Sequence, residues 1–356
     1  MRVVFSVGER SGEEHALKVL KALKAKTSIT SLSGMGGSRL ATLGMELVVD
    51  LEKGASVMGI SEVIKTLRVH LKNLYLMKEH IKSSKPDILV LVDYAEFNTL
   101  LAKYAHKLGI KTYYIIPPQV WVWRKGRLKT LRKILNGAAL LFPFEEKIWD
   151  MAEAKFLGHP LVSEITPTND KIKLRRELGL PESGKILALF PGSRGQEIKS
   201  HISLFEDVVK RLDGVIPVVA KTKALKYLPK GWLETDDSVG LLKAADVGLI
   251  KSGTSNLQAA LSELPFVMVY KTSRLSELVG RLMLTIKQYS IVNILKPGTI
   301  KEFIQDDATP EVIASEIQKL LKSDTQQMIS DFREIRKLLE GGDFASNVAD
   351  HILRIA

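Results

Sequence analysis

The chain has 356 residues, of which 45% are apolar, so it is long enough for two globular domains with sizeable cores. Its net charge of +12 favours an anionic partner, such as a nucleic acid, an anionic membrane surface or a phosphorylated substrate. The absence of cysteine excludes disulfides and thiolate metal sites. No apolar run approaches the roughly 18 residues that span a membrane, and the first apolar run is too short for a signal peptide, so we expect a cytoplasmic protein.

The first half of the sequence alternates predicted strands and helices. Arg2 to Val7 predicts a strand, Gly8 to Glu14 a loop, and His15 to Ala25 a helix. Together they resemble the opening of a doubly wound fold. The loop lacks the third glycine of a dinucleotide fingerprint and carries carboxylates, which favours a sugar or another hydroxyl-rich ligand. A second glycine-rich stretch, Ser33 to Gly37, is interpreted as a tight turn or a ligand contact.

The segment from Ile60 to Ile81 predicts an amphipathic helix with basic residues beside its apolar stripe. Such helices usually cover a core, but a basic and apolar helix can also lie in a membrane interface. Both roles need the same spacing, so periodicity does not separate them. The stripe consists of Ile60, Val63, Ile64, Leu67, Leu71, Leu74 and Met77.

Ile88 to Val92 is the clearest buried strand, and Asp93 follows it directly. In open parallel sheets the carboxyl edge faces the ligand crevice, so Asp93 is a candidate catalytic carboxylate. Its alternative role is to cap the next helix, expected around Asn98 to Leu108. After another strand at Lys111 to Ile116, two tryptophans precede a run from Arg124 to Lys133 with six basic residues and no acidic one. Aromatic residues beside such charge suit a nucleic acid, a sugar phosphate or a lipid headgroup.

The second half begins after a polar, turn-rich stretch, Val162 to Lys173, which predicts an interdomain linker. Two of its small-residue loops, Pro191 to Glu197 and Lys251 to Asn256, each follow a predicted strand and precede a helix. Glycines allow close backbone approach, an arginine donates in a fork, and a helix N-terminus favours anions. The two loops together predict a diphosphate site, although each alone could be an ordinary turn. Strands are predicted at 186–190, 215–219, 247–250 and 266–270, and closing helices at 310–321, 324–339 and 344–355.

The chain carries a series of short motifs, which in order are Gly8-Glu9-x-Ser11-Gly12, Gly34-x-Gly36-Gly37, Val57-Met58-Gly59-x-x-Glu62-Val63, Lys85-Pro86-Asp87, Asp93-x-x-x-Phe97-Asn98, Pro118-x-Val120-Trp121-x-Trp123-Arg124, Pro143-Phe144-Glu145, Gly158-His159-Pro160, Pro191-Gly192-Ser193-Arg194-x-x-Glu197-Ile198, Ser252-Gly253-Thr254 and the stretch Tyr289 to Ile294. This series resembles the motifs of the lipid-A-disaccharide synthase family. The resemblance covers about residues 3 to 304, and the motifs are specific as a set although each is weak alone.

The resemblance implies an α/β fold of the GT-B type, with two Rossmann-like domains facing a cleft. We expect the domains at residues 1–165 and 166–340, with a helix at 341–356 that packs back on the first. The implied reaction joins UDP-2,3-diacylglucosamine to 2,3-diacylglucosamine 1-phosphate (lipid X), with inversion, and releases UDP. No cofactor, metal or nucleic acid is expected. The implied location is the anionic inner surface of the cytoplasmic membrane. The protein could be a monomer or a homodimer, and the sequence does not decide between them.

The resemblance and the loop chemistry together assign roles to individual residues. The catalytic residues are predicted to be Asp93 as the base, with Arg194 and Glu9. The remaining assignments are Gly192, Ser193, Arg194, Ser252, Gly253, Thr254, Gln258 and Asn293 for UDP, Ser11, Gly12, Asn98, Trp123 and Arg124 for the acceptor or sugar, and Val63, Ile64, Leu67 and Leu71 for the membrane.

The sequence departs from the family pattern at several positions, of which Gln258 matters most. The family has a glutamate there, which in such folds holds ribose hydroxyls, and a glutamine accepts a hydrogen bond without the assistance of charge. The other departures are Glu13 for an aspartate, Tyr94-Ala95-Glu96 for Ala-Pro-Asp, and Val292 for a proline. The enzyme alternatives that stay open are a UDP-sugar epimerase and another UDP-sugar glycosyltransferase on the same fold. The non-enzyme alternative is a basic nucleic-acid-binding protein that uses Trp121 to Lys133, although no nucleic-acid-binding motif is present.

Overall fold

The computed structural model of the chain describes residues 1–8, 10–52, 62–121, 126–192, 195–272 and 288–356, without the side chains of 10–11, 62–67 and 195–197. These residues form two units, which we describe separately. Unit 1 consists of Met1–Pro160 and Gly341–Ala356, and unit 2 consists of Leu161–Glu340. Unit 1 is therefore built from two separate stretches of the chain.

Unit 1 contains a parallel sheet of seven strands in the order β3-β2-β1-β4-β5-β6-β7. The strand order reverses between β1 and β4, so the carboxyl ends of these two strands mark the ligand crevice that such sheets form. The strands are β1 Arg2–Val7, β2 Ser31–Gly36, β3 Glu46–Asp50, β4 Ile88–Val92, β5 Lys111–Ile115, β6 Gly137–Leu140 and β7 Ala154–Phe156. The helices between them are α1 Arg10–Lys26, α2 Ser38–Thr42, α3 Glu62–Ser84, α4 Ala95–Lys107, α5 Gly126–Ile134 and α6 Glu145–Trp149.

Both faces of this sheet are covered, because alternate residues of a strand point to opposite sides. Val3 and Phe5 pack with the apolar side of α1 on one face, whereas Val4 and Leu89 pack with α3 and α4 on the other. The last helix of the chain, Phe344–Ile355, completes the face on the α1 side. The predicted buried strands at 2–7 and 88–92 are confirmed.

The stretch Ser33 to Gly37, which the sequence predicted to be a tight turn or a ligand contact, is mostly strand β2. Gly34 has φ +145°, and a Cβ there would lie 1.9 Å from the carbonyl oxygen of Phe5 in β1. The register of β2 against β3 also shifts at this glycine. Close approach of the strands therefore requires Gly34, and the predicted turn was wrong.

The apolar stripe predicted on α3 divides along the helix. Leu74 and Met77 are buried in the core beneath the helix, as the usual role of an amphipathic helix predicts. Leu71, by contrast, is 55% exposed. Ile60 lies outside the described residues, and so do the side chains of Val63, Ile64 and Leu67, so their contact with a membrane stays a prediction.

Unit 2 contains a parallel sheet of six strands in the order β10-β9-β8-β11-β12-β13, which reverses between β8 and β11. The strands are β8 Lys185–Phe190, β9 Val215–Ala220, β10 Leu233–Thr235, β11 Val247–Lys251, β12 Phe266–Tyr270 and β13 Glu302–Ile304. The helices are α7 Pro160–Glu164, which begins at the last residue of unit 1, α8 Lys171–Glu177, α9 Gly195–Val209, α10 Ser238–Ala244, α11 Thr254–Leu261, α12 Ile291–Leu295, α13 Pro310–Lys322 and α14 Gln326–Leu339, and we number Phe344–Ile355 of unit 1 α15. No helix in the described ranges is long and apolar enough to cross a membrane.

The predicted linker from Val162 to Lys173 is more ordered than its polar composition suggests. Helix α7 ends at Glu164, and α8 begins at Lys171. The side chain of Asp170 caps α8 by accepting a hydrogen bond from the Lys173 N–H at 2.9 Å. The residues that suggested a turn-rich linker are thus partly helix-capping residues, which share the composition of turns.

Candidate active site

Asp93 lies directly after β4, where the strand order of unit 1 reverses. Its φ is +49° and that of Tyr94 is +52°, so two successive non-glycine residues are left-handed. Each such residue costs roughly 1–2 kcal/mol, so other contacts must hold the turn. The carbonyl oxygen of Asp93 accepts hydrogen bonds from the Tyr114 hydroxyl at 2.7 Å and from Asn98 Nδ2 at 2.8 Å. Backbone strain of this kind is concentrated at functional sites.

The alternative role for Asp93, capping the following helix, is not what the structure shows. Helix α4 begins at Ala95, and its N-cap is Tyr94, without a side-chain capping bond. Asp93 Oδ1 instead accepts a hydrogen bond from the Tyr94 N–H at 2.9 Å, one residue ahead. Its carboxylate therefore braces its own turn and is located at the carboxyl edge of the sheet.

The buried side chain of Asn98 holds this turn in place through hydrogen bonds. Its side chain is 0% exposed, and Nδ2 also donates to the carbonyl oxygens of Val92 at 3.2 Å and Ser6 at 3.3 Å. Its Oδ1 accepts a hydrogen bond from Ser6 Oγ at 2.6 Å. The polar groups of Asn98 thus tie β1, β4 and α4 together, and its contact with a sugar stays a prediction.

The first turn of α1 lies against the Asp93 turn. The helix begins at Arg10 rather than at His15, so Ser11 and Gly12 lie in a helical turn and not in the predicted loop. A Cβ on Gly12 would lie 3.5 Å from Asp93 Cβ. The first N–H groups of a helix have no partner within it, so this edge offers donors as well as a carboxylate. Glu9 and the Ser11 side chain lie outside the described residues, and their roles stay predictions.

Trp121 and Glu145, which belong to two separate motifs, form a buried pair. Trp121 Nε1 donates to Glu145 Oε1 at 2.8 Å, and Glu145 Oε2 accepts from the N–H groups of Leu141 at 3.0 Å and Phe142 at 2.9 Å. Burial raises the pKa of Glu145, although these hydrogen bonds oppose the rise. These motifs thus hold the segments after β5 and β6 together. Trp123 and Arg124 lie outside the described residues, and their sugar contacts stay predictions.

The basic run from Arg124 to Lys133 is partly used within the fold. Arg127 forms an ion pair with Glu96. Arg132 donates to backbone carbonyl oxygens at the end of α6, where the helix dipole favours a cation. Two of the six basic residues of this run therefore have partners within unit 1.

In unit 2, the first of the two loops predicted to bind a diphosphate follows β8 at the reversal of strand order. Gly192 has φ +111°, a conformation that favours glycine. Helix α9 begins three residues later, at Gly195, so the predicted strand, loop and helix follow one another. Ser193 and Arg194 lie outside the described residues, and their contacts with a phosphate stay predictions.

The second loop that is predicted to bind a diphosphate joins β11 to α11. Gly253 is the N-cap of α11 with φ +153°, and among the described residues no heavy atom lies within 4 Å of the position of a Cβ there. Gly253 and Thr254 are exposed, and Ser252 Oγ donates to the carbonyl oxygen of Tyr289 at 2.9 Å. Among the described residues, the N-terminus of α11 is therefore open at Gly253, and its N–H groups can receive an anion. Gln258 lies one turn further and is half-buried.

Asn293, predicted to bind UDP, is buried in α12. Its Nδ2 donates to the carbonyl oxygen of Ile300 at 3.0 Å and to Glu302 Oε1 at 2.8 Å, and its Oδ1 accepts from the Ile300 N–H at 3.0 Å. Asn293 therefore supports the loop before β13, and its direct contact with UDP stays a prediction.

Sequence reasoning did not single out His70 or Glu302. His70 contacts Tyr94 beside Asp93, and Glu302 accepts hydrogen bonds from the backbone N–H groups of Tyr289 at 2.8 Å and Ser290 at 3.1 Å. Neither residue belongs to a local pattern, because their partners lie 9 to 24 residues away in the sequence. In the part of the chain that the structure describes, no three histidine or carboxylate side chains are grouped as a metal site requires.

Comparison with known proteins gives concordant results over nearly the whole chain. A sequence profile described as lipid-A-disaccharide synthetase matches residues 3–355. The chain is 35% identical to lipid-A-disaccharide synthase 1 of Legionella pneumophila strain Philadelphia 1, over 98% of this chain and 94% of the relative. It is 32% identical to lipid-A-disaccharide synthase of Coxiella burnetii strain Dugway 5J108-111, over 98% of this chain and 96% of the relative.

Solved structures with much lower identity share the fold. A UDP-GlcNAc 2-epimerase from Neisseria meningitidis matches with a TM-score of 0.65 at 13% identity, over 99% of this chain and 100% of the other. A glycotransferase of kitacinnamycin matches with a TM-score of 0.62 at 16% identity, over 99% and 98%. Together with the two parallel sheets, these similarities confirm the predicted GT-B fold.

Proposed function

The chain belongs to the lipid-A-disaccharide synthase family, and on this premise we propose that it joins UDP-2,3-diacylglucosamine to 2,3-diacylglucosamine 1-phosphate (lipid X). The products are the β-1,6-linked disaccharide 1-phosphate and UDP, formed with inversion at the transferred sugar carbon. The match of the family profile to residues 3–355 carries this proposal, because it spans both units rather than one motif.

Inverting transfer requires a base on the acceptor hydroxyl and stabilisation of the departing UDP. We assign the base to Asp93, because its turn is held in a strained form at the carboxyl edge of β4. The acceptor 6-hydroxyl oxygen attacks the anomeric carbon of the donor while Asp93 takes the hydroxyl proton. The bond from that carbon to the diphosphate oxygen breaks, and the electron pair leaves with UDP.

Unit 2 supplies the groups for UDP in this proposal. The growing negative charge is met by Arg194 and by the open N-terminus of α11 at Gly253. The remaining UDP contacts are assigned to Gly192, Ser193, Ser252, Thr254 and Gln258, and the contacts of the acceptor or sugar to Glu9, Ser11, Gly12, Trp123 and Arg124.

We further propose that unit 1 works at the anionic inner surface of the cytoplasmic membrane. Two apolar side chains of α3 support this location, since Leu71 is 55% and Tyr75 is 63% exposed. The same helix carries exposed Arg68, Lys72 and Lys82. Each basic residue near anionic lipid contributes about 1 kcal/mol, and a tyrosine suits the headgroup region. Substrate acyl chains could then stay in the lipid while the sugar reaches the protein.

The decisive assay measures disaccharide and UDP formation from UDP-2,3-diacylglucosamine, with and without the acceptor. We expect Asp93→Asn to lower turnover roughly 10²–10⁴-fold with UDP affinity nearly unchanged, as for loss of a general base. Asp87→Asn is the matched control, because Asp87 precedes the same strand and pairs with Arg2 on the surface.

The outcomes separate the alternatives. Normal turnover in Asp93→Asn would remove Asp93 from the role of base and favour Glu96. An epimerised UDP-sugar without disaccharide would indicate an epimerase, a fold relative of this chain. Salt-sensitive retention of nucleic acid on filters, without sugar transfer, would favour a nucleic-acid-binding protein.

A further inference from the structure

We infer that Tyr94 and His70 are positioning residues, which hold the turn that carries Asp93 and connect it to helix α3. The inference rests on the base role proposed for Asp93 and adds two residues that the motifs assign to no role. Neither needs to touch substrate: both act through the orientation of Asp93.

The ring of Tyr94 fills the space above the end of β1. A Cβ on Gly8 would lie 2.0 Å from the Cγ and Cδ1 atoms of this ring, so only a glycine fits beneath it. On its other side the ring stacks on Phe97, with centroids 5.2 Å apart and planes inclined by 20°. The side chain is thus fixed between β1 and α4, and it fixes the left-handed backbone of its own residue.

The hydroxyl of Tyr94 reaches a third element. It lies 2.9 Å from His70 Nδ1, and His70 is part of α3. The His70 ring also meets Tyr94 and Phe97 edge to face, with centroid distances of 5.6 Å and 5.1 Å. The three rings form a compact cluster, and the hydrogen bond between His70 and Tyr94 joins α3 to the Asp93 turn within it.

The position of this link gives it a consequence for catalysis. Asp93 and Tyr94 share one strained turn, so a rotation of Tyr94 must change the backbone of Asp93 and the direction of its carboxylate. Leu71, next to His70, is exposed on the side of α3 that we propose to meet lipid. A displacement of α3 at the membrane therefore changes the position of Asp93, because the hydrogen bond and the ring contact between His70 and Tyr94 connect the helix to the Asp93 turn.

The test removes the hydrogen bond and keeps the rings. Tyr94→Phe and His70→Phe, singly and together, are compared in the disaccharide assay with Tyr227→Phe, which removes the hydroxyl of an exposed tyrosine of unit 2. We expect each single variant to lower kcat roughly three- to ten-fold, the scale of one hydrogen bond, with KM for the donor and affinity for UDP unchanged. The double variant should be no slower than either single one, because both remove the same bond.

Two results would overturn the inference. One is a kcat of Tyr94→Phe within twofold of the wild type. The other is a fall in kcat that is matched by the loss of folded protein in thermal unfolding, which makes the pair a feature of stability alone. The proposed function fails separately: a wild type that forms no disaccharide refutes it, whereas an active wild type with an inactive Asp93→Asn and a fully active Tyr94→Phe refutes only the positioning role.

Discussion

At the scale of single residues, buried polar groups explain several of the motifs. Asn98, Glu145 and Asn293 are each buried, and each holds backbone groups of two or more segments. A buried polar group without partners costs roughly 1–3 kcal/mol, so each of these side chains is restricted to one residue type by its hydrogen bonds. A motif residue near a site can thus be fixed by the fold and still determine the reaction through the residue it supports.

His159 makes the stability of the protein sensitive to acid. It is buried beside the ring of Phe142, and burial lowers its pKa to about 3. The unfolded chain titrates near its ordinary value of 6.5, so below that pH the unfolded state binds more protons and the free energy of unfolding falls. For this group alone the loss between pH 7 and pH 5 is about 2 kcal/mol, measurable by urea titration at both pH values.

Two variants check the assignment to His159. His159→Gln should lose less stability than the wild type between pH 7 and pH 5, whereas the exposed His106→Gln should follow the wild type. Some acid sensitivity will remain, because burial also lowers the pKa of His80 and His351. An identical pH dependence in His159→Gln and the wild type would contradict the assignment.

At the scale of elements, the pairing of β1 with β2 depends on the absence of a side chain at Gly34. We expect Gly34→Ala to lower the free energy of unfolding by at least about 3 kcal/mol, because its Cβ would overlap the carbonyl oxygen of Phe5. Gly44→Ala is the control, since Gly44 has φ +84° but its nearest neighbour to a Cβ is Lys24 Nζ at 3.7 Å. It should cost only about 1–2 kcal/mol, the cost of the left-handed backbone.

Urea denaturation of both variants distinguishes the two costs. Equal destabilisation of the two variants would mean that the left-handed backbone alone accounts for the cost of replacing Gly34. The strands β1 and β2 could then separate enough to admit a methyl group.

The exposed side chains of α3 give a second prediction at this scale. Leu71→Ser with Tyr75→Ser should leave circular dichroism unchanged and reduce sedimentation with anionic vesicles several-fold, since both side chains are exposed. Raised salt should weaken the binding of the wild type in the same assay. The matched control is Val312→Ser with Leu338→Ser, two exposed apolar residues of unit 2. Equal loss in both double variants would point to non-specific adsorption.

The sequence predicted best those elements that local pattern determines. Strands β1, β4 and β8 are continuous apolar runs, because helices cover both of their faces. Strands β2 and β3 escaped prediction, since β2 contains the glycines that strand packing requires and β3 is a short edge strand. For the candidate site, the sequence predicted that Asp93 follows a buried strand and that each of the two loops of unit 2 joins a strand to a helix, and the structure has these arrangements. The support of Asp93 could not be predicted, because Ser6 and Asn98 meet across 92 residues.

At the scale of the whole molecule, unit 1 is completed by the last stretch of the chain. The outgoing and returning segments touch at Gly158 and Gly341, where a Cβ on Gly341 would lie 2.5 Å from the Cα of Gly158. Asn347 of α15 donates hydrogen bonds to the carbonyl oxygens of both Leu157 and Gly341. Helix α15 therefore fixes both segments while its apolar side packs in the core with α1.

A chain ending at Glu340 tests the dependence of unit 1 on this helix. Removing α15 uncovers the core that Phe344, Val348 and Ile352 fill, and each buried side chain of this size contributes about 1.5–3 kcal/mol. Calorimetry should show the loss of the transition of unit 1, while the transition of unit 2 stays near its original temperature. Asp350→Ala, which removes an exposed partner of Lys26, should shift the transition of unit 1 only slightly. Two unshifted transitions in the shortened chain would contradict this dependence.

The interrupted course of unit 1 also sets an order for events during protein synthesis. Unit 2 occupies residues 161–340, so α15 emerges from the ribosome only after all of unit 2. At about 5–20 residues per second, this delay lasts on the order of 10–40 s. Through that interval the nascent sheet of unit 1 lacks its cover beside α1, and its apolar face is open to chaperones and to neighbouring nascent chains. Unit 2 can fold as it emerges, whereas unit 1, which carries Asp93, completes its folding only after the ribosome has synthesised α15.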